Sequence, residues 1–287
     1  MASAPTLADH LRSAPFELIL SSGFFGFYAH AGVLEALEEA QLQPSLVGGA
    51  SAGALAAGLW AAGFDAAAIR DRLLALRRED FWDLDPLLGI GHRLPLPPEL
   101  RALFTPAPAG YEKRGPGLLR GQAFDALLDS AFAELGVRDF SQCRIPLRVV
   151  VHDIAQSKPV VLSSGELRPA VRASCSLPGM FQPVEIDGIR YTDGGYSDRA
   201  GILAATPGAR LLFHHLPAKS PWRMIMTSQN APPIRPNMYI LFEPALPRLS
   251  PFHLERGVQA NRIAREATRR ALRAPAHLYA ARQPHGR

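Results

Sequence analysis

Leu46-Val47 runs straight into Gly48-Gly49-Ala50-Ser51-Ala52-Gly53, and the stretch behind it, residues 54–62, is mostly alanine and glycine. A short apolar run that ends in a glycine-flanked serine, with helix formers directly after it, leaves few folding choices. A buried strand must turn sharply into a helix whose small residues can lie close against a sheet. Gly49 and Gly53, two before and two after Ser51, are expected to permit that turn. They would expose the serine Oγ at a helix N-terminus, where free backbone N–H groups point outward. A serine hydroxyl is a weak nucleophile at neutral pH; it needs a base and a place for developing negative charge. The amide of Ala52 is a candidate donor for that charge.

The rest of the chain supplies the context. Residues 16–20 form an apolar run bounded by Pro15 and Ser21-Ser22-Gly23, which predicts a first buried strand. A helix follows over residues 29–40, with Val33, Leu34 and Leu37 inward and Glu35, Glu38 and Glu39 facing water, until Pro44. Strand, loop, helix, strand, turn, helix is the opening of a parallel α/β sheet. Further helices are predicted over 65–78 and 122–135, and strands over 147–151, 158–162, 189–191, 210–214 and 238–242. The proline-rich stretch 83–117 reads as a lid or a variable excursion.

Composition narrows the classes. With 287 residues, 47% apolar and 20% charged, the chain can bury a sizeable core, and disorder is not the default. No apolar run reaches the roughly 18 residues needed to cross a bilayer, and no signal-peptide pattern opens the chain. A cytoplasmic protein is expected, with peripheral membrane contact left open. Cys143 and Cys175 match neither a disulfide framework nor metal-ligand spacing, and are expected as reduced, half-buried thiols. The net charge is +5, yet the arginines are scattered, so no nucleic-acid partner is expected.

Two bases are open for Ser51. The chain order Ser51, Asp193, then His214 or His215 matches that of α/β-hydrolases, although those enzymes place more strands before the nucleophile. Asp193 itself stands in Tyr191-Thr192-Asp193-Gly194-Gly195, a strand end followed by paired glycines that allow close backbone approach. A second oxyanion donor is expected from Ser21-Ser22-Gly23-Phe24-Phe25-Gly26, at the turn after the first strand.

Taken in order, the motifs resemble the patatin-like phospholipase family. The likeness runs from Leu20-Ser21-Ser22-Gly23 and Ala31-Gly32-Val33-Leu34 through the Ser51 turn to Gly117-Leu118-Leu119-Arg120-Gly121. Its most specific block is Ala173-Ser174-Cys175-Ser176-Leu177-Pro178, continuing to Phe181-Gln182-Pro183 and ending at Asp193-Gly194-Gly195. It covers about residues 16–200, leaving 201–287 as a C-terminal extension of one domain spanning 1–287. The resemblance implies a three-layer α/β/α fold with a mostly parallel central sheet, and a Ser51–Asp193 dyad without a catalytic histidine. It implies a lipid or fatty-acyl ester as substrate, an acyl-enzyme intermediate, and neither metal nor organic cofactor. Gly23 and Phe24, with Ala52, would donate to the oxyanion.

One departure stands out. The family's oxyanion loop usually carries three glycines and often a Lys or Arg; here Gly23 is followed by Phe24-Phe25, with no cation. An acyl ester is therefore a firmer expectation than a phospholipid, and a catalytically silent lipid-binding protein is an alternative. Phe24, Phe25, Phe27 and Tyr28 supply either an acyl channel or an aromatic core cluster. The arginine-rich helix predicted over 254–273 either rests on anionic lipid or packs on the domain as a solvated helix.

Overall fold

The computed structural model describes residues 4–81, 83, 117–217 and 234–281; the predicted excursion over 83–117 lies, apart from its ends, outside them. A short helix, α1 (Leu7–Arg12), precedes the first strand, β1 (Glu17–Leu20). All four residues of β1 are buried, and they alternate between two cores: Leu18 and Leu20 in one, Ile19 in the other. A strand covered on both faces has this pattern. Helix α2 (Phe27–Glu39) leads to β2 (Leu46–Ala50), which passes through Ser51 into α3 (Ala52–Ala62). Helix α4 (Ala66–Leu74) is capped by Asp65 and ends short of the expected Arg78. The chain turns instead into a single 3-10 turn, fixed by the Asp80 carboxylate accepting from the Arg77 amide.

After β3 (Gly117–Leu119) and α5 (Gln122–Glu134) come β4 (Leu147–Asp153), β5 (Lys158–Leu162) and α6 (Leu167–Ser174). Three strands follow, β6 (Gly179–Phe181), β7 (Val184–Ile186) and β8 (Ile189–Asp193). The last elements are β9 (Leu211–His215), β10 (Met238–Phe242) and α7 (Gly257–Arg273). The main sheet runs β10-β9-β1-β2-β4-β8-β7, parallel from β10 to β4, with β8, β7 and a side strand β5 antiparallel. The expected mostly parallel α/β sheet is what forms. Helices α2, α3, α4, α6 and α7 contribute to the larger core on one face. Among the described residues the other face is covered by the segment around Ala200, Ile202 and Ala204.

The carboxylates of α2 differ from expectation. Glu35 is buried, accepting from Asn261 Nδ2 at 2.9 Å and pairing with Arg70 and Arg265 at 2.9 and 3.0 Å. Glu38 accepts from the Trp60 indole at 2.6 Å and from the Ala66 amide at 2.9 Å, while Glu39 pairs with Arg265 and Arg269. Glu35 and Glu39 are held by α7, which crosses α2 so closely that a Cβ on Gly32 would lie 2.3 Å from the Asn261 carbonyl, and Glu38 is held by α3 and the start of α4. The basic helix packs on the domain, as one of the two expectations had it. Among the described residues, no helix is long and apolar enough to cross a membrane.

Candidate active site

Ser51 sits where β2 gives way to α3, with φ 54° and ψ −122°. A residue with a Cβ populates that region sparsely, at a cost of roughly 1–3 kcal/mol, unless its surroundings over-determine it. Here they do. The Ser51 amide donates to Ser174 Oγ at 2.9 Å, and its carbonyl accepts from the Leu55 amide at 3.0 Å and from Cys175 Sγ at 3.3 Å. The flanking glycines serve a purpose other than the expected one, since the left-handed φ belongs to the serine. A Cβ on Gly49 or Gly53 would lie 2.4 or 2.0 Å from the Leu20 carbonyl oxygen. Both glycines let the end of β1 press against the turn.

Asp193 arrives from the other side of β4. Parallel β2 and β4 pair Ala50 with Val150, and antiparallel β8 brings Asp193 level with Val151. The two side chains thus converge beside the same stretch of β4. Ser51 Oγ donates to Asp193 Oδ2 at 2.6 Å, and Asp193 Oδ1 accepts from the Gly195 amide at 2.7 Å. Asp193 is 1% exposed, and burial pushes its carboxyl up to about 7, against the opposing effect of those two hydrogen bonds. Gly194 and Gly195 are again required by close approach: added Cβ atoms would lie 2.0 Å from the Val150 carbonyl and 2.2 Å from Ser22 Oγ.

A cavity of about 710 Å³ opens from this pair and runs between α3, α4 and α5. Its walls are largely apolar, and Ser51, Asp193, Gly23 and Ala52 line it together with Phe24, Phe25 and Phe27. Tyr28 belongs instead to the core, 1% exposed, so the aromatic run divides between the two roles foreseen for it. Among the described residues, the amides of Gly23, Phe24 and Ala52 have no protein acceptor. Such amides are what an anionic oxygen at Ser51 would need. Among the described residues, no cluster of His, Cys, Asp and Glu could hold a metal.

A family model for patatin-like phospholipases matches residues 18–206. The chain belongs to the patatin-like phospholipase family. An uncharacterized NTE family protein of Mycobacterium tuberculosis is 31% identical over 181 residues, which are 63% of this chain and 42% of that protein. Lysophospholipase nte1 of Emericella nidulans is 29% identical over 210 residues, 72% of this chain and 12% of that protein. Patatin-like phospholipase domain-containing protein 6 of Homo sapiens is 29% identical over 72% of this chain and 14% of its own. The chain therefore spans less than half the length of these curated relatives. Among solved structures, VipD from Legionella pneumophila has the same fold, with TM-score 0.51 and 16% identity over 90% of this chain and 66% of that one.

In this patatin-like chain the histidines considered as bases serve elsewhere. His214 is buried, and its Nδ1 lies 2.8 Å from His30 Nδ1. His30 Nε2 lies 2.8 Å from the Ser21 carbonyl, which only accepts, so Nε2 carries the proton. His30 Nδ1 then accepts from His214 Nδ1–H, and a neutral pair props the base of the Ser21–Gly23 loop. His215 stacks on Phe242 at 5.5 Å. Both cysteines are free and half-buried as expected, and burial raises both thiols, that of Cys143 to about 11.

Sequence reasoning missed Arg199. It brings a cation to the wall of the cavity, its Nη2 donating to the Leu216 carbonyl at 2.8 Å and its own carbonyl accepting from the Ser22 amide at 2.8 Å. No motif spacing marks it; only the return of the chain after Gly195 places it there.

Proposed function

We propose that this protein is a serine hydrolase of lipid acyl esters, with Ser51 as nucleophile and Asp193 as its general base. The observation that carries this reading is the 2.6 Å contact between Ser51 Oγ and Asp193 Oδ2 at the end of an apolar cavity. The hydroxyl proton passes to Asp193 as Oγ attacks the ester carbonyl. The amides of Gly23, Phe24 and Ala52 receive the negative charge that develops on the carbonyl oxygen. Asp193 then gives its proton to the departing alcohol, leaving the acyl group on Ser51. A water, deprotonated by the same carboxylate, attacks the acyl-enzyme; the acyl–Oγ bond breaks, Asp193 returns the proton to Ser51 Oγ, and the fatty acid leaves.

An ordinary aspartate, with a pKa near 4, is a poor base for a serine hydroxyl. Burial that lifts Asp193 to about 7 brings it to the range in which a general base works well near neutral pH. The apolar cavity receives the acyl chain, and peripheral contact with a lipid surface would deliver it. The relatives named as lysophospholipases make a single-chain phospholipid the first substrate to try.

The test is fatty-acid release from a lipid panel, including lysophosphatidylcholine and a monoacylglycerol, beside a chromogenic acyl ester. Ser51→Ala and Asp193→Asn should each abolish hydrolysis with the fold retained, and a fluorophosphonate should label Ser51. Full activity in either variant overturns the reading. Tight lipid binding without turnover or labelling would point to a silent lipid-binding protein instead.

A further inference from the structure

The most specific block of the sequence, Ala173-Ser174-Cys175-Ser176-Leu177-Pro178, has no part in the chemistry just described. It leaves the end of α6 and bonds to the backbone of both reacting residues. Ser174 is fully buried; its hydroxyl donates to the Val150 carbonyl at 2.6 Å, which spends its single proton. Its oxygen is then left to accept, and it accepts the Ser51 amide at 2.9 Å. The next side chain, Cys175, donates to the Ser51 carbonyl at 3.3 Å. Consecutive residues therefore grip both peptide groups of the one serine held at φ 54°.

The other end of the block grips the base. The Ser176 carbonyl accepts from the Asp193 amide at 3.1 Å and from Thr192 Oγ1 at 2.5 Å. Ser176 is itself fixed by Arg172, a fully buried cation whose Nη1 donates to Ser176 Oγ at 2.6 Å and whose guanidinium lies 4.6 Å from the Phe181 ring centre.

We propose that residues 173–178 are a strap that sets Ser51 against Asp193, with Ser174 as the positioning residue that holds the Ser51 turn in its reactive conformation. Ser174 is fully buried, does not line the cavity, and bonds to the Ser51 amide rather than to Oγ. Without its hydroxyl the Ser51 amide loses its acceptor, and the left-handed turn relaxes toward the helix behind it. Oγ then leaves its alignment with Asp193 Oδ2 while the cavity walls stay in place. A misplacement of this kind lowers the rate of attack and leaves substrate binding alone.

The inference rests on the proposed roles of Ser51 and Asp193, and its test is Ser174→Ala assayed beside Ser51→Ala. In Ser174→Ala, kcat should fall about 10- to 100-fold with KM within about twofold. The rate of fluorophosphonate labelling should fall with kcat. The midpoint of the pH profile should move upward, because Asp193 keeps its burial and its bond from Gly195 but loses the Ser51 hydroxyl that holds its carboxyl down; a merely structural loss would leave it in place. Should Ser174→Ala not fold, Ser174→Cys retains a weaker donor and acceptor of similar size, and its kcat should lie between those of the natural protein and Ser51→Ala. A folded variant with unchanged kcat and labelling rate, whatever its melting temperature, overturns the inference, as does a loss confined to KM. Retained hydrolysis in Ser51→Ala would instead sink the dyad itself.

Discussion

Ser51 Oγ donates to Asp193 Oδ2 over 2.6 Å, although 142 positions separate the two residues in the chain. Asp193 must be deprotonated to accept the serine proton, and its carboxyl is raised to about 7. The rate of ester hydrolysis should therefore climb with pH through a midpoint near 7 and level off above it. A profile of kcat/KM against pH checks this; a midpoint near 4 would mean that burial does not tune the base.

The same shift has a consequence for stability. A carboxyl raised in the folded state contributes stability that is complete below its ordinary value of 3.8 and is lost as pH rises through about 7. Asparagine cannot charge, so Asp193→Asn should gain on the natural protein as pH rises from 4 to 8, with a ceiling of about 4 kcal/mol. Melting temperatures of both proteins across that range measure the gain.

The buried histidine pair acts in the opposite sense. Burial lowers His30 from 6.5 to about 4, partly offset by its bond to the Ser21 carbonyl, and burial also holds His214 well below 6.5. Its neutral form contributes stability above pH 6.5 that is lost as pH falls through about 4, by up to ~3 kcal/mol. His30→Gln should flatten that acid limb in a pH series of melting temperatures. An unchanged acid limb would show that the pair is not neutral in the folded state.

Leu127, on α5, lines the cavity. Leu127→Trp should cut hydrolysis of long-chain esters at least about tenfold while sparing acetate esters, because it fills the channel without touching the reacting pair. Equal losses for both chain lengths would place the acyl chain elsewhere.

Gly53→Ala tests the close approach of β1 to the turn. Its Cβ would lie 2.0 Å from the Leu20 carbonyl, a backbone atom that cannot rotate away. Destabilisation of about 3 kcal/mol or more is expected in denaturant unfolding, with loss of activity. A neutral substitution would mean that the strands can part there.

Much of this was legible in the residues. The run into Ser51, the small-residue helix behind it and the Asp-Gly-Gly turn each carry a local signal, since strand burial and tight turns restrict nearby residue types. The three-residue strands β3, β6 and β7 were not, being too short to show a period. Glu35, Glu38 and Glu39 read as a solvated face because helix periodicity records which side is charged, not what lies opposite. Glu35 and Glu39 find partners on α7, more than two hundred positions away, and Glu38 finds its own at Trp60 and Ala66.

By itself, the sequence determined where a nucleophilic serine could stand, which residue types had to flank it, and that a parallel α/β sheet would carry it. Only the tertiary structure decided that Asp193 meets Ser51 directly, that His214 turns to His30, and that Arg199 reaches the cavity wall. The physical reason is range. Turns, caps and strand burial are settled within a few residues of the chain. Hydrogen bonds between distant side chains depend on strand order, and β8 running antiparallel beside β4 brings the carboxylate to the serine. The flanking glycines show both levels at once: their presence marks the turn, and the carbonyl of Leu20 gives the reason for it.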